Sequence, residues 1–216
     1  LYMKFQSAFA VLSTIVAVPA FAQDTKTNPL TYEANIALTS RFDTSDSLSH
    51  AENEVELSVF LGLNGWYTGL TLTSLYQNPA DDYEYEFNLG YGSEFANGVT
   101  WDLQYGLIGL NESSGTNEEL TAAFGMSASP RTTLALAVIL DPETGKSDQE
   151  FGFETVLTDQ WAVFGLVGNS DRDDNFYGEL GASYAVTDAV SFEVLYEDTN
   201  DGNGLLGFTV SYAFGS

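Results

Sequence analysis

Carboxylate side chains recur at every second position along several segments of this chain. Their type and spacing suggest a shared chemical role. In segment 83–110, Glu84 and Glu86 alternate with tyrosine and phenylalanine. A period of two is that of a β-strand, so carboxylates in this pattern share one face of a sheet. If that face lined a water-filled lumen, rings of Asp and Glu would attract cations and repel anions.

The same alternation predicts a larger set of inward-facing carboxylates. Most are expected in the external halves of their strands, whereas Asp102 and Glu193, together with Glu33, are expected toward the periplasmic ends. The predicted lumen and cation-selectivity residues are Glu54, Glu56, Glu84, Glu86, Asp102, Glu119, Glu150, Glu154, Glu179, Glu193 and Glu197.

Motifs for phosphate or metal binding are incomplete. Segment 145–147 ends like a phosphate-binding loop, but Leu140 stands where that loop needs its first glycine. Asp171, Asp173 and Asn175 have the oxygen spacing of a calcium loop, but its central glycine and final glutamate are missing. We therefore predict no metal and no cofactor, and we expect a solvated loop at 171–175.

A nucleophile and a base also occur side by side. His50 is the single histidine of the chain and follows Ser49, in a segment expected to be the longest loop. Adjacent residues of a loop rarely hold a nucleophile and a base in reach of each other with a third group to orient them. The sequence therefore predicts that the protein is not an enzyme.

The elements that would position the carboxylates begin with a hairpin in segment 83–110. Tyrosine, phenylalanine and leucine occupy one phase up to Tyr91, Asn97-Gly98 is a strong hairpin signal, and the alternation then resumes with Trp101. A soluble sandwich would bury the aromatic phase in a core. A membrane barrel would turn it to lipid and the polar phase to a lumen.

The rest of the chain favours the barrel. The alternation recurs in about twelve segments of roughly ten residues, the length a tilted strand needs to cross a bilayer. Wherever the phase can be assigned, the apolar phase contains no Asp, Glu, Lys or Arg. The facing of segment 161–169 stays open. We predict an all-β, antiparallel up-and-down transmembrane barrel.

The connections alternate in length, as expected when the longer ones are external and the tight ones periplasmic. The longer connections are expected at 42–53, 78–82, 112–117, 141–148, 171–175 and 199–203, and the tight turns at 64–65, 96–98, 129–131, 158–160 and 187–189. Aromatic residues beside both sets of connections predict two interfacial girdles. The girdle residues are Trp66, Trp101, Trp161, Tyr76, Tyr83 and Tyr196.

The N-terminal segment and the net charge limit the compartment and the partners that the sequence predicts. Lys4, an apolar run and Ala20-Phe21-Ala22 match a secretory signal, so residues 1–22 are expected to be cleaved and residues 23–216 to form the barrel. The chain has no cysteine, and its 31 acidic against 6 basic residues give a formal net charge of −25. Such a charge makes nucleic acid a poor partner. Solubility or a salty habitat is an alternative explanation of the acidity.

Three short segments carry a family resemblance: 65–69, the acidic pair at 81–82, and 85–91. They are similar to the uncharacterised bacterial family known as Gcw_chp, whose members pair a "GxYxG" strand with an acidic strand rich in tyrosine and glycine. The whole chain resembles small bacterial outer-membrane barrels. The arginine-rich lumens of small porins for acidic sugars are absent, which argues against anionic substrates.

These features predict a bacterial outer-membrane channel for passive diffusion of small cationic or neutral solutes. We expect membrane lipid as its surroundings and a monomer in preference to an oligomer. The alternative is a closed barrel that serves as a structural or surface-interaction protein through its acidic loops. Twelve strands lie between the eight that side chains can fill and the sixteen that leave an open channel, so the pattern leaves both open.

Overall fold

The computed structural model describes residues 30–44, 48–75, 80–113, 115–200 and 204–215. The expected signal peptide at 1–22 and the girdle residue Tyr76 lie outside these ranges. No helix among the described residues is long and apolar enough to cross a membrane.

The described residues form a closed antiparallel barrel, as the alternation predicts. Each strand pairs with its neighbours in the sequence, and the first strand pairs with the last, Ala34 opposite Phe214. The strands are β1 Leu30–Asp43, β2 Ser49–Leu63, β3 Trp66–Ser74, β4 Tyr83–Glu94, β5 Thr100–Leu110, β6 Thr116–Ser129, β7 Thr132–Leu140, β8 Ser147–Val156, β9 Trp161–Ser170, β10 Asn175–Ala185, β11 Val190–Thr199 and β12 Leu205–Gly215.

The connections fall into two classes, one at each rim of the barrel. The tight-turn rim holds the connections 64–65, 95–99, 130–131, 157–160 and 186–189, whereas the long-connection rim is the end at which β1 is joined to β2, β3 to β4, β5 to β6, β7 to β8, β9 to β10 and β11 to β12. The lengths of the two sets overlap, since 95–99 has five residues and 171–174 has four. At 64–65, Asn64 and Gly65 have φ values of 54° and 86°. Positive φ at both residues is what a two-residue turn between twisted strands requires.

The first hairpin is longer than expected. The predicted connection 42–53 is mostly strand, since β1 continues to Asp43 and β2 begins at Ser49. His50 therefore lies on a strand opposite Phe42, with ring centroids 5.6 Å apart. Apart from Phe42 and Ala51, the side chains of this upper part of the hairpin are polar on both faces. No regular apolar alternation therefore marks it in the sequence, although the backbone ladder continues.

The two faces of the wall differ as a membrane barrel requires. On β2, Leu57 is 47 % exposed, whereas the next residue, Ser58, is 6 % exposed. Large apolar side chains occupy the outer phase of the other strands in the same way, with Leu103 and Val210 as examples. A closed barrel with an apolar outer surface buries that surface in lipid, and this excludes the soluble sandwich.

The structure also assigns the facing of β9, which the sequence left open. Trp161 and Val167 are exposed on the outer surface, whereas Leu166 and Gly168 are buried on the inner one. The odd-numbered residues of this strand therefore face outward and the even-numbered residues face the lumen.

Aromatic side chains gather where the girdles are predicted. Trp66, Trp101 and Trp161 each lie at the start of a strand that leaves the tight-turn rim. Tyr91 lies between two of them, with ring centroids 5.1 Å from Trp66 and 5.5 Å from Trp101. At the other rim, Tyr83 begins β4, and Tyr196 lies near the end of β11. Their role as interfacial anchors remains a prediction.

Candidate functional site

The carboxylates singled out in the sequence all lie on the inward phase of their strands. Glu54 and Glu56 on β2, for example, alternate with the exposed Val55 and Leu57. The set placed on the inner wall is Glu54, Glu56, Glu84, Glu86, Asp102, Glu119, Glu150, Glu154, Glu179, Glu193 and Glu197. Carboxylates from seven strands, β2, β4, β5, β6, β8, β10 and β11, therefore line the shared interior.

One of these residues, Glu154, lies near the opposite rim of the barrel from the one expected. Glu154 was expected in the external half, but it lies two residues before the end of β8, close to the tight turn 157–160. Its partner across the ladder is Thr133, near the start of β7 at the same rim. β8 runs from the long-connection rim toward the tight-turn rim, so its later residues, Glu154 included, lie near the tight-turn rim.

Two tyrosines lie flat against the inner wall because each covers a glycine of a neighbouring strand. Tyr67 on β3 is opposite Gly90 on β4, and Tyr177 on β10 is opposite Gly168 on β9. A Cβ atom added at Gly90 would lie 2.2 Å from Tyr67 Cζ, and one at Gly168 would lie 2.3 Å from Tyr177 Cζ. The missing side chains leave room for the rings beside the wall instead of across the lumen.

Each tyrosine then reaches a carboxylate two strands away. The Tyr67 hydroxyl donates to Asp102 Oδ1 at 2.7 Å and lies 3.0 Å from Gln104 Oε1, both on β5. The Tyr177 hydroxyl donates to Glu150 Oε1 on β8, also at 2.7 Å. We call each unit of tyrosine, glycine and carboxylate a tyrosine clamp.

The first clamp continues into a polar network. Gln104 Nε2 donates to Asn88 Oδ1 at 2.6 Å, and Asn88 Nδ2 donates to Glu86 Oε1 at 3.0 Å. Together with Tyr67 and Asp102, these residues belong to three neighbouring strands, β3 to β5. The network therefore follows the wall, where it gives partners to most of its buried polar atoms. Asp102 Oδ2 is buried without a partner among the described residues.

The inner wall also carries apolar side chains. Phe60 covers Gly69, and Phe164 covers Gly181, in the same manner as the tyrosines. A buried apolar cluster lies on the β6 to β10 side and consists of Ala123, Ala135, Ala137, Ile139, Leu166 and Tyr177. The lumen is therefore narrower than its many glycines suggest, because aromatic rings occupy the space above several of them.

Arginine appears at two places on the inner side of the wall. Arg41 on β1 donates from Nη1 to Glu54 at 2.7 Å and to Glu52 at 3.0 Å, both on the neighbouring β2. Arg172 comes from the 171–174 turn and reaches inward to Glu119 on β6 and Asp148 on β8. Unlike Arg41, it bridges strands that are not neighbours, so it crosses part of the entrance.

Arg172 stands in a cavity of about 490 Å³ at the long-connection rim. Ten of the residues that line this cavity are Asp or Glu, against one arginine. We call it the acidic vestibule. Among the described residues no group of three or more His, Cys, Asp or Glu side chains is placed to hold a metal ion.

A buried aspartate holds two of the long connections together. Asp81 Oδ1 accepts from the backbone N–H groups of Glu112 (2.9 Å) and Ser113 (2.8 Å), and Oδ2 accepts from Ser113 Oγ at 2.6 Å. The bond from the Ser113 hydroxyl, helped by those from the two backbone amides, lowers the pKa of Asp81. The bonds favour the ionised form and tie 111–113 to the connection before β4.

We expect Asp81→Ala to free the 111–115 connection. A glutamate-specific protease should then cleave after Glu112 several-fold faster, while Asp82→Ala, which removes the same charge from an exposed neighbour, should change little. Because the folded pKa is lowered, the wild-type restraint is present above the ordinary aspartate pKa and is lost as pH falls through the lowered value. Equal cleavage of the two variants would contradict this role.

The sequence did not single out Tyr67, Tyr177, Asp148 or Arg172. A signal existed for the tyrosines, since each stands on the polar phase of its strand, where a large aromatic side chain needs a small neighbour. Finding that neighbour requires the register between strands, which places Gly90 opposite Tyr67. The inward course of Arg172 from a turn has no signal in the sequence.

Comparison with known proteins supports the architecture. No family model and no curated protein match the sequence. Among solved structures, the KdgM porin superimposes with a TM-score of 0.69 at 10 % identity, covering 83 % of this chain and 99 % of that one. The NanC porin gives 0.61 at 10 % identity, covering 84 % and 99 %. Omp33 of Acinetobacter baumannii gives 0.55 at 8 % identity, covering 87 % and 100 %.

The fold is that of a small outer-membrane porin. A closed barrel of this kind, with its apolar surface turned outward, belongs in the bacterial outer membrane. The side chains that could carry chemistry line the interior wall of this barrel. The finer family prediction, Gcw_chp, receives no support from the family comparison.

Proposed function

We propose that this protein is an outer-membrane channel for passive diffusion of small cationic or neutral solutes through an acidic lumen. The observation that carries the proposal is the charge of the inner wall. Inward carboxylates recur on both halves of the barrel, and Arg41 and Arg172 are each paired with two carboxylates. A low-dielectric wall focuses such a field inside the pore, which raises the local cation concentration and excludes anions.

The comparison with KdgM sharpens the charge argument. One KdgM structure is a complex with disordered oligogalacturonate. Galacturonate units are carboxylates, so an interior rich in Asp and Glu repels them. We therefore propose a solute class of opposite charge for this chain, even though the fold is shared.

The proposal includes membrane lipid as the surroundings of the outer face and a monomeric state, with the long-connection rim at the cell surface. The resemblance to Gcw_chp stays a prediction about relatives and adds no solute. Charge selection is a property of the inner wall, and it requires neither a cofactor nor a second subunit.

A closed barrel with a structural or surface-interaction role is the second candidate. The buried apolar cluster around Ile139 and Leu166 favours it, because side chains packed inside the barrel reduce the space for solutes. The side chains of Tyr67 and Gln104, which are hydrogen-bonded along the wall, also take up space inside the barrel. Transport measurements separate the two candidates, since a closed barrel passes no solute.

Uptake of three hexose derivatives of equal size tests the proposal. Proteoliposomes should admit protonated glucosamine at least as fast as neutral glucose, and galacturonate about tenfold more slowly, because the wall repels only the last. Protein-free liposomes provide the background. Fastest entry of galacturonate would overturn the charge selection, and entry no faster than background for all three would favour the closed barrel.

A further inference from the structure

The acidic vestibule has the features of a binding site as well as those of an entrance, an inference that rests on the proposed cation-passing function. Its volume of about 490 Å³ falls in the range of small-molecule sites. It lies directly above the carboxylates of the inner wall, with Glu84, Glu179 and Glu197 among its lining residues.

The chain's own guanidinium, that of Arg172, is part of the lining of this vestibule. Arg172 Nη1 lies 2.5 Å from Glu119 Oε1, and Nε donates to Asp148 Oδ2 at 2.6 Å. The turn that carries Arg172 is fixed, since Asp171 N donates to Ser147 O at 3.0 Å and Asp173 N to Ser170 Oγ at 3.1 Å. Glu119 and Asp148 therefore form a two-carboxylate site that fits an organic cation with several N–H donors.

Two oxygens at the same place lack a donor. Asp148 is 6 % exposed, and its Oδ1 is buried with no hydrogen-bond partner. Asn175 Oδ1, also in the vestibule lining, is buried and unpartnered too. Both atoms accept hydrogen bonds only, so the group that satisfies them must be a donor. Arg172 leaves this capacity unused.

The chemistry favours an amine over the other donors. The described residues offer no three-ligand metal site, which argues against a bare divalent ion. A neutral sugar would supply hydroxyl donors but would leave the carboxylates uncompensated. A linear polyamine supplies both N–H donors and positive charge, and its charges are spread along a chain. Glu179 on β10 and Glu197 on β11 lie directly opposite each other in the ladder, so they form a second carboxylate pair that can engage another charge of the same chain.

We propose that the acidic vestibule binds linear polyamines, with one ammonium group displacing Arg172 from Glu119 and Asp148. A neighbouring ammonium group then meets Glu179 and Glu197 at the entrance to the lumen. Arg172 acts as a built-in competitor that keeps the site compensated when no polyamine is bound. It thereby limits how tightly a polyamine is held, so that a bound cation can leave toward the lumen.

Calorimetric titration of the refolded full chain in detergent with spermidine tests this inference, at fixed ionic strength because the charges are screened. Arg172→Gln should tighten spermidine binding about tenfold, since the competitor is gone. Arg131→Gln, the same change of charge at the opposite rim, should leave the affinity within about twofold of wild type.

Asp148→Asn should weaken binding about tenfold, whereas Asp159→Asn on an exposed tight turn should have little effect. Glu119→Gln tests the same pair, with the same expected loss, if Asp148→Asn does not refold. Absence of spermidine binding, an equal loss in Asp148→Asn and Asp159→Asn, or weaker binding by Arg172→Gln would overturn the site.

The titration requires no conductance, so the two proposals fail separately. A barrel that binds spermidine but passes no solute would overturn the channel and leave the polyamine site standing. A barrel that passes cations but does not bind spermidine would overturn the polyamine site and leave the channel standing.

Discussion

Replacing Glu84 and Glu86 together by glutamine is expected to lower the preference of the pore for K⁺ over Cl⁻ by about threefold to tenfold. Both carboxylates lie on β4 and face the lumen, where they are partly exposed and can act on passing ions. Glutamine keeps the size of the side chain and one acceptor oxygen, so the main change is the loss of the charge. The reversal potential in a salt gradient measures the change.

A matched control has the same change of charge away from the lumen. Asp159→Asn combined with Asp188→Asn removes two negative charges from exposed tight turns and should leave the reversal potential within error of wild type. An equal shift in both double variants would show that overall charge, and not the lumen wall, sets the selectivity. The shift should also shrink at high salt, because screening shortens the range of the charges.

Gly90→Ala is the second change with a large expected effect. The added methyl group would lie 2.2 Å from the Tyr67 ring, so the ring must move off the wall. That movement breaks the bond from Tyr67 to Asp102, and the displaced ring narrows the lumen. We expect a loss of unfolding free energy of about 2–3 kcal/mol and a lower single-channel conductance.

Urea unfolding in detergent and planar-bilayer recordings check this prediction. Gly207→Ala is the control, because a Cβ atom at this lumen position has no neighbour closer than 3.8 Å. Combining Gly90→Ala with Tyr67→Ala should recover part of the loss, since the clash needs both side chains. Equal stability of Gly90→Ala and Gly207→Ala would mean that Tyr67 does not lie where the clamp places it.

The architecture could be predicted because its signals are local. The alternation around Tyr83–Glu94 fixes which face each side chain takes, and Asn64-Gly65 fixes one turn by its demand for positive φ. The predicted alternation of connections then assigns each one to the correct rim, although 95–99 on one rim is longer than 171–174 on the other. Inward placement of the carboxylates follows from the same period of two, with no knowledge of which strands pair.

Cross-strand features could not be predicted in this way. The clamp between Tyr67 and Gly90 depends on register, which the sequence of a single strand does not contain. The position of Glu154 between the two rims depends on where β8 begins and on the direction in which it runs. The polar upper part of the first hairpin has no apolar face to mark its period, so it was expected to be a loop.

The vestibule depends on still longer-range geometry. Arg172 meets Glu119 from a turn more than fifty residues later in the chain, at a separation of 53 positions. The oxygen spacing of Asp171, Asp173 and Asn175 predicts a solvated loop, whereas Arg172 reaches inward from it and Asn175 begins β10. The excess of acidic residues predicts that each arginine pairs with carboxylates. Only the closed barrel shows which carboxylates these are.

The reversal potential of the wild-type channel tests the central claim most directly. Purified protein in a planar bilayer, with a KCl gradient across it, should show a reversal potential of the sign set by K⁺ permeation. The acidic wall predicts that this preference is strongest at low salt. A reversal potential of the opposite sign, or the absence of any conductance, would contradict the account.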